Sequence, residues 1–348
     1  MGESDPLDDS YRDTAMQDFD IKLRLHPLIG PDYEPIKDDP IFDPARHLAL
    51  DQPASTLSLT DLGYGEETVG TTPTPIAATS CFRVLSDEGV EAMYHVCKQL
   101  EAFTTSNPRV ARNTRGGVYR SKFLRDFSMC PEYVEHLSGV MQTPLLPSAM
   151  GHQIAHLNYQ PLSVGKNVDK WHYDTLQVDT VMFVTDPRLV DGGEFQYFKG
   201  TRDEMAEIHA AGKPFPHDRV ESPDMPGPGY AVLMQGNYVV HQAKGLRKEG
   251  ERITLVNGFS YADRGVPDYT ALGQLFHADQ PNVASAEYTR HIALRCGREL
   301  EQVINEPGFN DSPKEHAQRL ARVQAELSKA IAQLNNAAGE EMRHFGES

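Results

Sequence analysis

Between residues 148 and 265 the chain is a series of short apolar segments separated by glycine and proline. Their side chains alternate between polar and apolar and are rich in valine, tyrosine and phenylalanine, which is typical of β-strands. Closely spaced strands with turn residues between them are typical of a sandwich or barrel. The pattern is clearest in six runs: 152–160, 171–184, 194–198, 230–235, 237–243 and 252–261.

The segments around this β region have different patterns. Residues 1–75 are rich in proline, aspartate and glycine, and predict an extended N-terminal arm. Residues 76–147 contain a helical pattern that begins at the N-cap Ser86, and predict a helical support region. The stretch 199–229 interrupts the strands and predicts an insertion of the kind that often covers a site. Residues 266–348 predict C-terminal helices packed on the core, all within one domain.

The last of these helices has the clearest boundaries. Ser312 and Glu315 form a capping box with Pro313 at the first helical position. We expect its apolar stripe to pack on the protein's own sheet. A coiled-coil dimer is the alternative, so both a monomer and a homodimer stay open. The stripe consists of Leu320, Val323, Leu327, Ile331 and Leu334.

Composition excludes several kinds of partner. The 348 residues include 39% apolar ones, enough for a sizeable core, and 33 basic against 50 acidic side chains give a net charge of −17. That charge argues against binding to nucleic acid or to an anionic membrane. No apolar run reaches the ~18–20 residues of a membrane span, and no signal peptide is visible. With four scattered cysteines, we expect a reduced, cytoplasmic protein.

A histidine and an aspartate two residues apart suggest a metal site. On a strand, His172 and Asp174 point to the same face and offer two ligands of the triad of two histidines and one carboxylate that leaves positions open on Fe(II). His241, at the end of an apolar strand, is the candidate third ligand. A second His-x-Asp, at His277 and Asp279, lies just before a predicted helix, and we assign it to chance.

An arginine and a threonine share one face of the strand that follows. A guanidinium beside a hydroxyl is suited to a carboxylate, since arginine presents paired donors in a planar fork. For Arg252 alone, a surface ion pair with Glu249 or Glu251 would be the simpler interpretation. Its position after His241 favours a carboxylate-binding role for Arg252 and Thr254.

Taken in order, these elements resemble the catalytic core of the Fe(II)/2-oxoglutarate-dependent oxygenases (dioxygenases). The pattern of that family is a strand tyrosine, His-x-Asp, a Gly-Gly-Glu strand, a distal histidine, and an arginine with serine or threonine two residues later. Here LNYQP, WHYD, DGGEFQYF, VVH and GERITLVNGF stand in that order between Asn158 and Phe259, over roughly a third of the chain. The resemblance implies a mainly β protein with flanking helices (α+β), built on a double-stranded β-helix, the jelly-roll or cupin-like core.

The resemblance also implies a set of ligands and a reaction. His172, Asp174 and His241 would bind Fe(II), with O2 and 2-oxoglutarate as cosubstrates and ascorbate as a helpful reductant. Such an enzyme oxidises an unactivated C–H bond by hydroxylation, desaturation or cyclisation and releases succinate and CO2.

The cosubstrate contacts are implied in the same way. Arg252, supported by Thr254, would hold the distal carboxylate of 2-oxoglutarate. Asn158 and Tyr159 resemble an Asn-Tyr pair that opens the core in one branch of the family. That branch usually continues with a second tyrosine, and in this chain Gln160 stands in its place.

For the substrate, the sequence offers a locally basic segment, RVARNTRGGVYRSKFLRD, placed just before the core. Its cations are suited to an anionic group, so we expect a small, carboxylate-bearing metabolite, such as an amino acid or a natural-product intermediate. For each of these cations, a solvated loop is the competing interpretation. The candidate substrate residues are Arg115, Arg120, Lys122, Arg125 and, beside the triad, Tyr173.

Four other functions remain open, and the pair of Arg252 and Thr254 argues against one of them, an iron oxygenase that does not use 2-oxoglutarate. A peptide or protein side-chain hydroxylase of the prolyl-hydroxylase-like type would share the Gly-Gly-Glu strand but need an open groove. A zinc hydrolase would share the triad but leave Arg252 and Thr254 without a role. A non-catalytic jelly-roll binding protein would use the histidines as structural residues.

Overall fold

The computed structural model describes residues 26–263 and 265–347, so the expectation for the first 25 residues of the arm lies outside the described residues. The strands are β1 (Thr56–Ser58), β2 (Ile76–Thr79), β3 (Phe82–Arg83), β4 (Asn113–Thr114), β5 (Leu145–Pro147), β6 (His156–Tyr159), β7 (Asp169–His172), β8 (Val178–Phe183), β9 (Phe195–Phe198), β10 (Val220–Glu221), β11 (Tyr230–Met234), β12 (His241–Ala243) and β13 (Ile253–Tyr261). The α-helices are α1 (Pro44–His47), α2 (Glu66–Val69), α3 (Asp87–Leu100), α4 (Lys122–Ser128), α5 (Pro131–Met141), α6 (Arg202–Ala210), α7 (Leu272–Leu275), α8 (Pro281–Asn305) and α9 (Pro313–Asn336).

The strands form two antiparallel sheets with jelly-roll topology. A major sheet contains β11, β8, β13 and β6 as neighbours, and a minor sheet contains β10, β9, β12 and β7 in that order. The chain therefore crosses between the sheets at almost every step from β6 to β13. This alternation is the connectivity of a double-stranded β-helix, so the predicted fold class is confirmed.

The strand register brings polar side chains from both sheets into the space between them. In the minor sheet, His241 on β12 lies directly opposite His172 on β7. In the major sheet, Thr254 on β13 lies opposite Asn158 on β6. Side chains opposite each other on antiparallel neighbours share a face, so each pair projects together into the interior.

The other face of the major sheet is covered by helices. Because the sheet has protein on both sides, β8 is buried along its whole length, including its polar residues Asp179 and Thr180. Each leucine buried in this layer contributes about 1.5–3 kcal/mol. One buried cluster joins the sheet to α3, α4 and α5 through Leu157, Met182, Leu255, Leu100, Phe127 and Leu137.

The described part of the N-terminal arm contains more regular structure than the sequence predicted. Asp43 caps α1 through the Ala45 N–H, and Phe42 meets Phe123 edge-on with ring centroids 5.6 Å apart. The strand β1 pairs with β2, which extends the major sheet. These elements are too short to give a periodic signal in the sequence.

The insertion 199–229 contains an edge strand of the minor sheet. Val220 of β10 pairs with Phe198 of β9, so this segment completes the minor sheet after the helix α6. A strand of two residues shows no alternation, so it could not be predicted from the sequence.

The helix α9 packs on other helices, and Val323 is the one residue of the predicted stripe that is buried there. Its buried residues are Val323 and Ala330, which share a cluster with Ile292 and Cys296 of α8. The predicted contact with the sheet is therefore wrong, since Leu320, Leu327, Ile331 and Leu334 stay exposed. No described helix is long and apolar enough to cross a bilayer.

The buried and the exposed side chains of α9 predict different effects of truncation on stability. Val323 is 7% exposed and Leu327 is 42% exposed. We expect Val323→Ala to lower the free energy of unfolding by about 1–2 kcal/mol, and Leu327→Ala to change it by less than about 0.5 kcal/mol. Denaturant unfolding of both variants measures this, and a larger loss in Leu327→Ala would contradict the observed packing of α9.

Candidate functional site

The structure brings together the three predicted metal ligands. One ligand atom from each of His172, Asp174 and His241 lies within 4.8 Å of the others. The carboxylate oxygens of Asp174 are 3.5 Å from His172 Nε2 and 3.4 Å from His241 Nε2. The arrangement has two nitrogen donors and one carboxylate on one side of a buried space, as a facial triad requires.

Both imidazoles are oriented by their own strands. His172 Nδ1 lies 2.6 Å from the Lys170 carbonyl oxygen, and His241 Nδ1 lies 2.9 Å from the Val239 carbonyl oxygen. A carbonyl only accepts, so each Nδ1 donates and each Nε2 keeps its lone pair toward Asp174. Burial, together with repulsion from His172, lowers the pKa of His241 to about 4, so its ring is neutral at physiological pH.

Asp174 is held as a carboxylate. Burial alone would raise its pKa, but the neighbouring His172, His241 and Arg109 lower that pKa below its ordinary value. Its backbone N–H donates to the Gly236 carbonyl at 2.8 Å. A side chain at Gly236 would come 2.0 Å from Asp179 Oδ2 and 3.1 Å from Asp174 Cβ, so only glycine fits beside the triad.

Asp179 is a second buried carboxyl group next to Asp174, and the sequence analysis missed it. Burial and the charge of Asp174 raise the pKa of Asp179 well above its usual value. Neutral Asp179 is suited to donate a hydrogen bond to Asp174. An aspartate within the predicted strand 171–184 was the signal, because acidic residues are rarely buried without a reason.

Arg109 also lies beside the triad without having been predicted there. Its Nε is 3.0 Å from Asp169 Oδ1, and its Nη1 is 3.7 Å from Asp174 Oδ1. Asp169 Oδ1 is in turn 3.4 Å from His172 Nδ1. The guanidinium of Arg109 therefore lies between Asp169, at the start of β7, and Asp174, just after the end of that strand.

Arg252 is fully buried and has an unused donor. Its Nε donates to the Gly193 carbonyl at 2.7 Å, its Nη1 donates to Thr254 Oγ1 at 3.2 Å, and its Nη2 has no partner. Burial lowers its pKa to about 10, so it stays charged at neutral pH. Gly193 has a φ of +80° and a Cβ there would lie 2.8 Å from Arg252 Cδ, which explains the second glycine of DGGEF.

The two residues of the Asn-Tyr pair point in opposite directions. Asn158 lines the interior chamber, where its Oδ1 is buried without a partner. Tyr159 packs on the helical side, where its hydroxyl donates to the Cys97 carbonyl at 2.8 Å. Neighbouring residues of a strand face opposite sides, so the structure places Asn158 at the site and Tyr159 away from it.

Two adjoining cavities open from the triad. The inner chamber, of about 20 Å³, is lined by the triad together with His156, Asn158 and Thr254. The outer cavity, of about 70 Å³, shares Arg109, His156 and Asp174 with it. Its remaining wall comes from segments far apart in the chain: Asn107, Val110, Asn113, Arg115, Gln153, Tyr173, Thr175, Leu176, Gln274, Leu275, Ala278, Met342 and Arg343.

The end of the chain closes the outer cavity. The Phe345 N–H donates to the Trp171 carbonyl at 2.7 Å, and the Trp171 N–H donates to the Gly346 carbonyl at 3.2 Å. These bonds add residues 345–346 to the edge of β7, next to His172. Met342 and Arg343 are thereby placed in the cavity wall.

Of the predicted substrate residues, Tyr173 and Arg115 line the outer cavity and three others do not. Arg120 lies 3.8 Å over the Phe103 ring and donates to the Glu34 carbonyl. Arg125 pairs with Asp126 at 2.9 Å, and Lys122 is exposed at the start of α4. The segment turns away from the site after Arg115 to pack on the N-terminal arm, which the sequence does not reveal.

The second His-x-Asp lies apart from the triad. Asp279 accepts two hydrogen bonds from Arg115, both at 2.8 Å. His277 Nε2 lies 2.6 Å from the Glu340 carbonyl oxygen. Both side chains are thus used in holding the C-terminal region.

Comparison with known proteins gives a resemblance at the level of structure. No protein-family model matches the sequence, and no curated protein matches it. The chain resembles solved structures of non-haem, 2-oxoglutarate-dependent Fe(II) enzymes. The carbocyclase SnoK from nogalamycin biosynthesis has 15% identity and a TM-score of 0.40, over 60% of this chain and 88% of its own.

Two further structures have similar values. AviO1 from Streptomyces viridochromogenes Tue57 has 13% identity and a TM-score of 0.41, over 62% of this chain and 98% of its own. HygX from Streptomyces hygroscopicus, with nickel, 2-oxoglutarate and hygromycin B bound, has 15% identity and a TM-score of 0.36, over 57% of this chain and 88% of its own. These values are too low to assign a family, so we infer the function from this chain's own side chains.

The raised pKa of Asp179 predicts a pH-dependent stability difference. A carboxyl whose pKa is higher in the folded state loses stability as pH rises above the unfolded pKa of about 4. Asparagine does not ionise, so metal-free Asp179→Asn should gain in melting temperature relative to the natural chain as pH rises. Thermal unfolding of both proteins between about pH 5 and pH 8 measures this. A difference in melting temperature that does not change with pH would contradict a neutral Asp179.

Proposed function

We propose that the protein is an Fe(II)- and 2-oxoglutarate-dependent oxygenase that oxidises a C–H bond of a small metabolite and releases succinate and CO2. The observation that carries the proposal is the buried triad of His172, Asp174 and His241 in a chamber that also contains Thr254, the hydrogen-bond partner of Arg252. The triad provides a metal site with open positions, and Arg252 provides a cation for a carboxylate.

The residues of the site fit both the metal ion and 2-oxoglutarate. Two neutral imidazoles and one carboxylate are the donor set of non-haem Fe(II) sites. Arg252 Nη2 and Asn158 Oδ1 are buried polar atoms without partners, which is costly unless a ligand satisfies them. When bound, the metal and 2-oxoglutarate supply the activation of O2 that oxidation of an unactivated C–H bond requires.

The chain itself performs three tasks in this proposal. The carbonyls of Lys170 and Val239 fix the ligand imidazoles. Arg252 and Thr254 orient the cosubstrate through its distal carboxylate. The C-terminal residues Met342 and Arg343 help to exclude water from the cavity where the substrate is oxidised.

The size of the cavity favours a small substrate. The outer cavity measures about 70 Å³ and is bounded by α7 and by the C-terminal residues. A peptidyl or protein hydroxylase would need a groove that accepts extended backbone. A natural-product or amino-acid intermediate is therefore the better candidate, and hydroxylation, desaturation and cyclisation are its open outcomes.

The competing functions leave more of the site unexplained. A zinc hydrolase gives no role to Arg252, whose buried Nη2 awaits an acceptor. A non-catalytic binding module gives no reason for both ligand imidazoles to turn Nε2 toward one carboxylate.

The first test is turnover with metal. With Fe(II), ascorbate, O2 and 2-oxoglutarate, the protein should release succinate slowly, and faster with its substrate from a metabolite panel. His172→Ala should abolish succinate release and Ni(II) binding, because a facial triad loses one of three ligands. Exposed His95→Ala is the matched control and should change neither. Equal succinate release by the natural chain and His172→Ala would refute the proposal.

The second test concerns the cosubstrate. We expect Arg252→Met to weaken 2-oxoglutarate binding roughly a hundredfold, since a charge-assisted, desolvated carboxylate contact is lost. Ni(II) affinity should stay unchanged, because Arg252 is not a metal ligand. Arg247→Met removes an exposed arginine paired with Asp191 and serves as the control. Titration of 2-oxoglutarate into the Ni(II)-loaded proteins measures both, and loss of Ni(II) with unchanged 2-oxoglutarate affinity would overturn the assignment of Arg252.

A further inference from the structure

We propose that the substrate group entering the outer cavity is uncharged and polar, such as a hydroxyl or amide, and is not a carboxylate or phosphate. The inference rests on the proposed function and specifies the substrate class of the same site. It replaces the expectation of a carboxylate-bearing metabolite. The support comes from the charges that line the cavity and from the carboxylates behind them.

Each of the three arginines in the cavity wall already has its own carboxylate. The first is Arg109, whose Nε lies 3.0 Å from Asp169 Oδ1. Both side chains are largely buried, at 18% and 7% exposure. Because this pair also stands between the two cavities, its charge is compensated where substrate would meet the metal.

The second arginine is the most tightly held. Arg115 donates from Nε and Nη2 to the two oxygens of Asp279, each at 2.8 Å. This is the planar two-bond geometry in which a guanidinium satisfies a carboxylate. The side chains are 12% and 3% exposed. An anion that bound Arg115 would therefore displace Asp279 and leave that carboxylate buried without a partner.

The third arginine belongs to the C-terminal residues. Arg343 Nη2 donates to Glu340 Oε1 at 2.6 Å. Gln274 Nε2 donates to the same oxygen at 2.8 Å and fixes the position of the carboxylate. Arg343 is therefore also compensated, although it is more exposed than the other two.

This pairing disfavours an anionic substrate on energetic grounds. Moving a charged group into a buried space costs several kcal/mol unless a partner charge and hydrogen bonds compensate it. Among the described residues that line the outer cavity, each arginine already has a carboxylate beside it, although Arg109 Nε and Asp169 Oδ1 form an ion pair without a hydrogen bond. Arg252 keeps an open donor, but the proposed function assigns that donor to 2-oxoglutarate.

The remaining wall is suited to neutral polar groups. His156 is about nine-tenths buried at the junction of the two cavities, and its Nδ1 has no hydrogen-bond partner. Burial and the charge of Arg115 lower its pKa to about 3, so it presents a neutral ring. A neutral imidazole both donates and accepts, as a hydroxyl or amide does. Side chains with the same dual capacity accompany it: Asn107, Asn113, Gln153, Tyr173 and Thr175.

The experiment compares two probes of nearly equal shape, methanesulfonate and its neutral amide, methanesulfonamide. The protein is loaded with paramagnetic Co(II) and saturated with 2-oxoglutarate under argon, so that Arg252 is occupied and no turnover takes place. Relaxation of the probe's methyl protons by Co(II) reports entry into the cavity beside the metal. The Zn(II)-loaded protein gives the diamagnetic baseline.

We expect methanesulfonamide to relax well above the Zn(II) baseline and methanesulfonate to stay close to it. Glu340→Gln leaves Arg343 without its carboxylate and should increase methanesulfonate relaxation roughly fivefold. The matched control is Glu221→Gln, which removes the partner of exposed Lys199 and should change nothing. Asp279→Asn removes the carboxylate partner of buried Arg115 and should increase methanesulfonate relaxation more than Glu340→Gln does. If this buried substitution prevents folding, Glu340→Gln still tests the inference.

Two results would overturn the inference: relaxation of methanesulfonate equal to or above that of methanesulfonamide in the natural chain, or relaxation of neither probe above the baseline. Failure of the proposed function looks different. In that case the natural chain would bind Co(II) no better than His172→Ala, before any probe is added, and both proposals would fall together.

Discussion

The pairing of β7 with β12 in antiparallel register is the constraint on which the site depends. It sets His172 directly opposite His241, and the hydrogen bonds of their Nδ1 atoms to backbone carbonyls aim both rings at Asp174. A shift of one residue in this register would turn one imidazole to the opposite face of the sheet. The major sheet and the helices behind it support these two strands. The absence of a side chain at Gly193 and Gly236 leaves space for Arg252 and for Asp174.

The sequence predicted those parts of the protein that depend on local patterns. Alternation of side chains located most of the strands, and two-residue spacing on a strand placed His172 with Asp174 and Arg252 with Thr254. The order of these elements then predicted the fold, which the strand order confirms. The capping box of α9 followed from three neighbouring residues, and Ser312 and Glu315 do form it.

What the sequence could not provide depends on contacts between distant segments. The partners of Arg109 and Arg115 are Asp169 and Asp279, which lie far from them in the chain, so the charges of both arginines looked free when only neighbours along the chain were considered. The buried face of α9 is set by how α8 approaches it, and helical spacing alone does not show that Val323 is buried while the other residues of the predicted stripe are exposed. Tyr159 shows the same limit at a smaller scale, because alternation fixed its face relative to Asn158 but not which face was interior.

The bonds between residues 345–346 and Trp171 connect the end of the chain to the ligand strand. Binding that stabilises β7 also stabilises these two hydrogen bonds, and the reverse holds by thermodynamic linkage. The last residues thus belong energetically to the metal centre, although they lie about 170 positions after His172 in the chain.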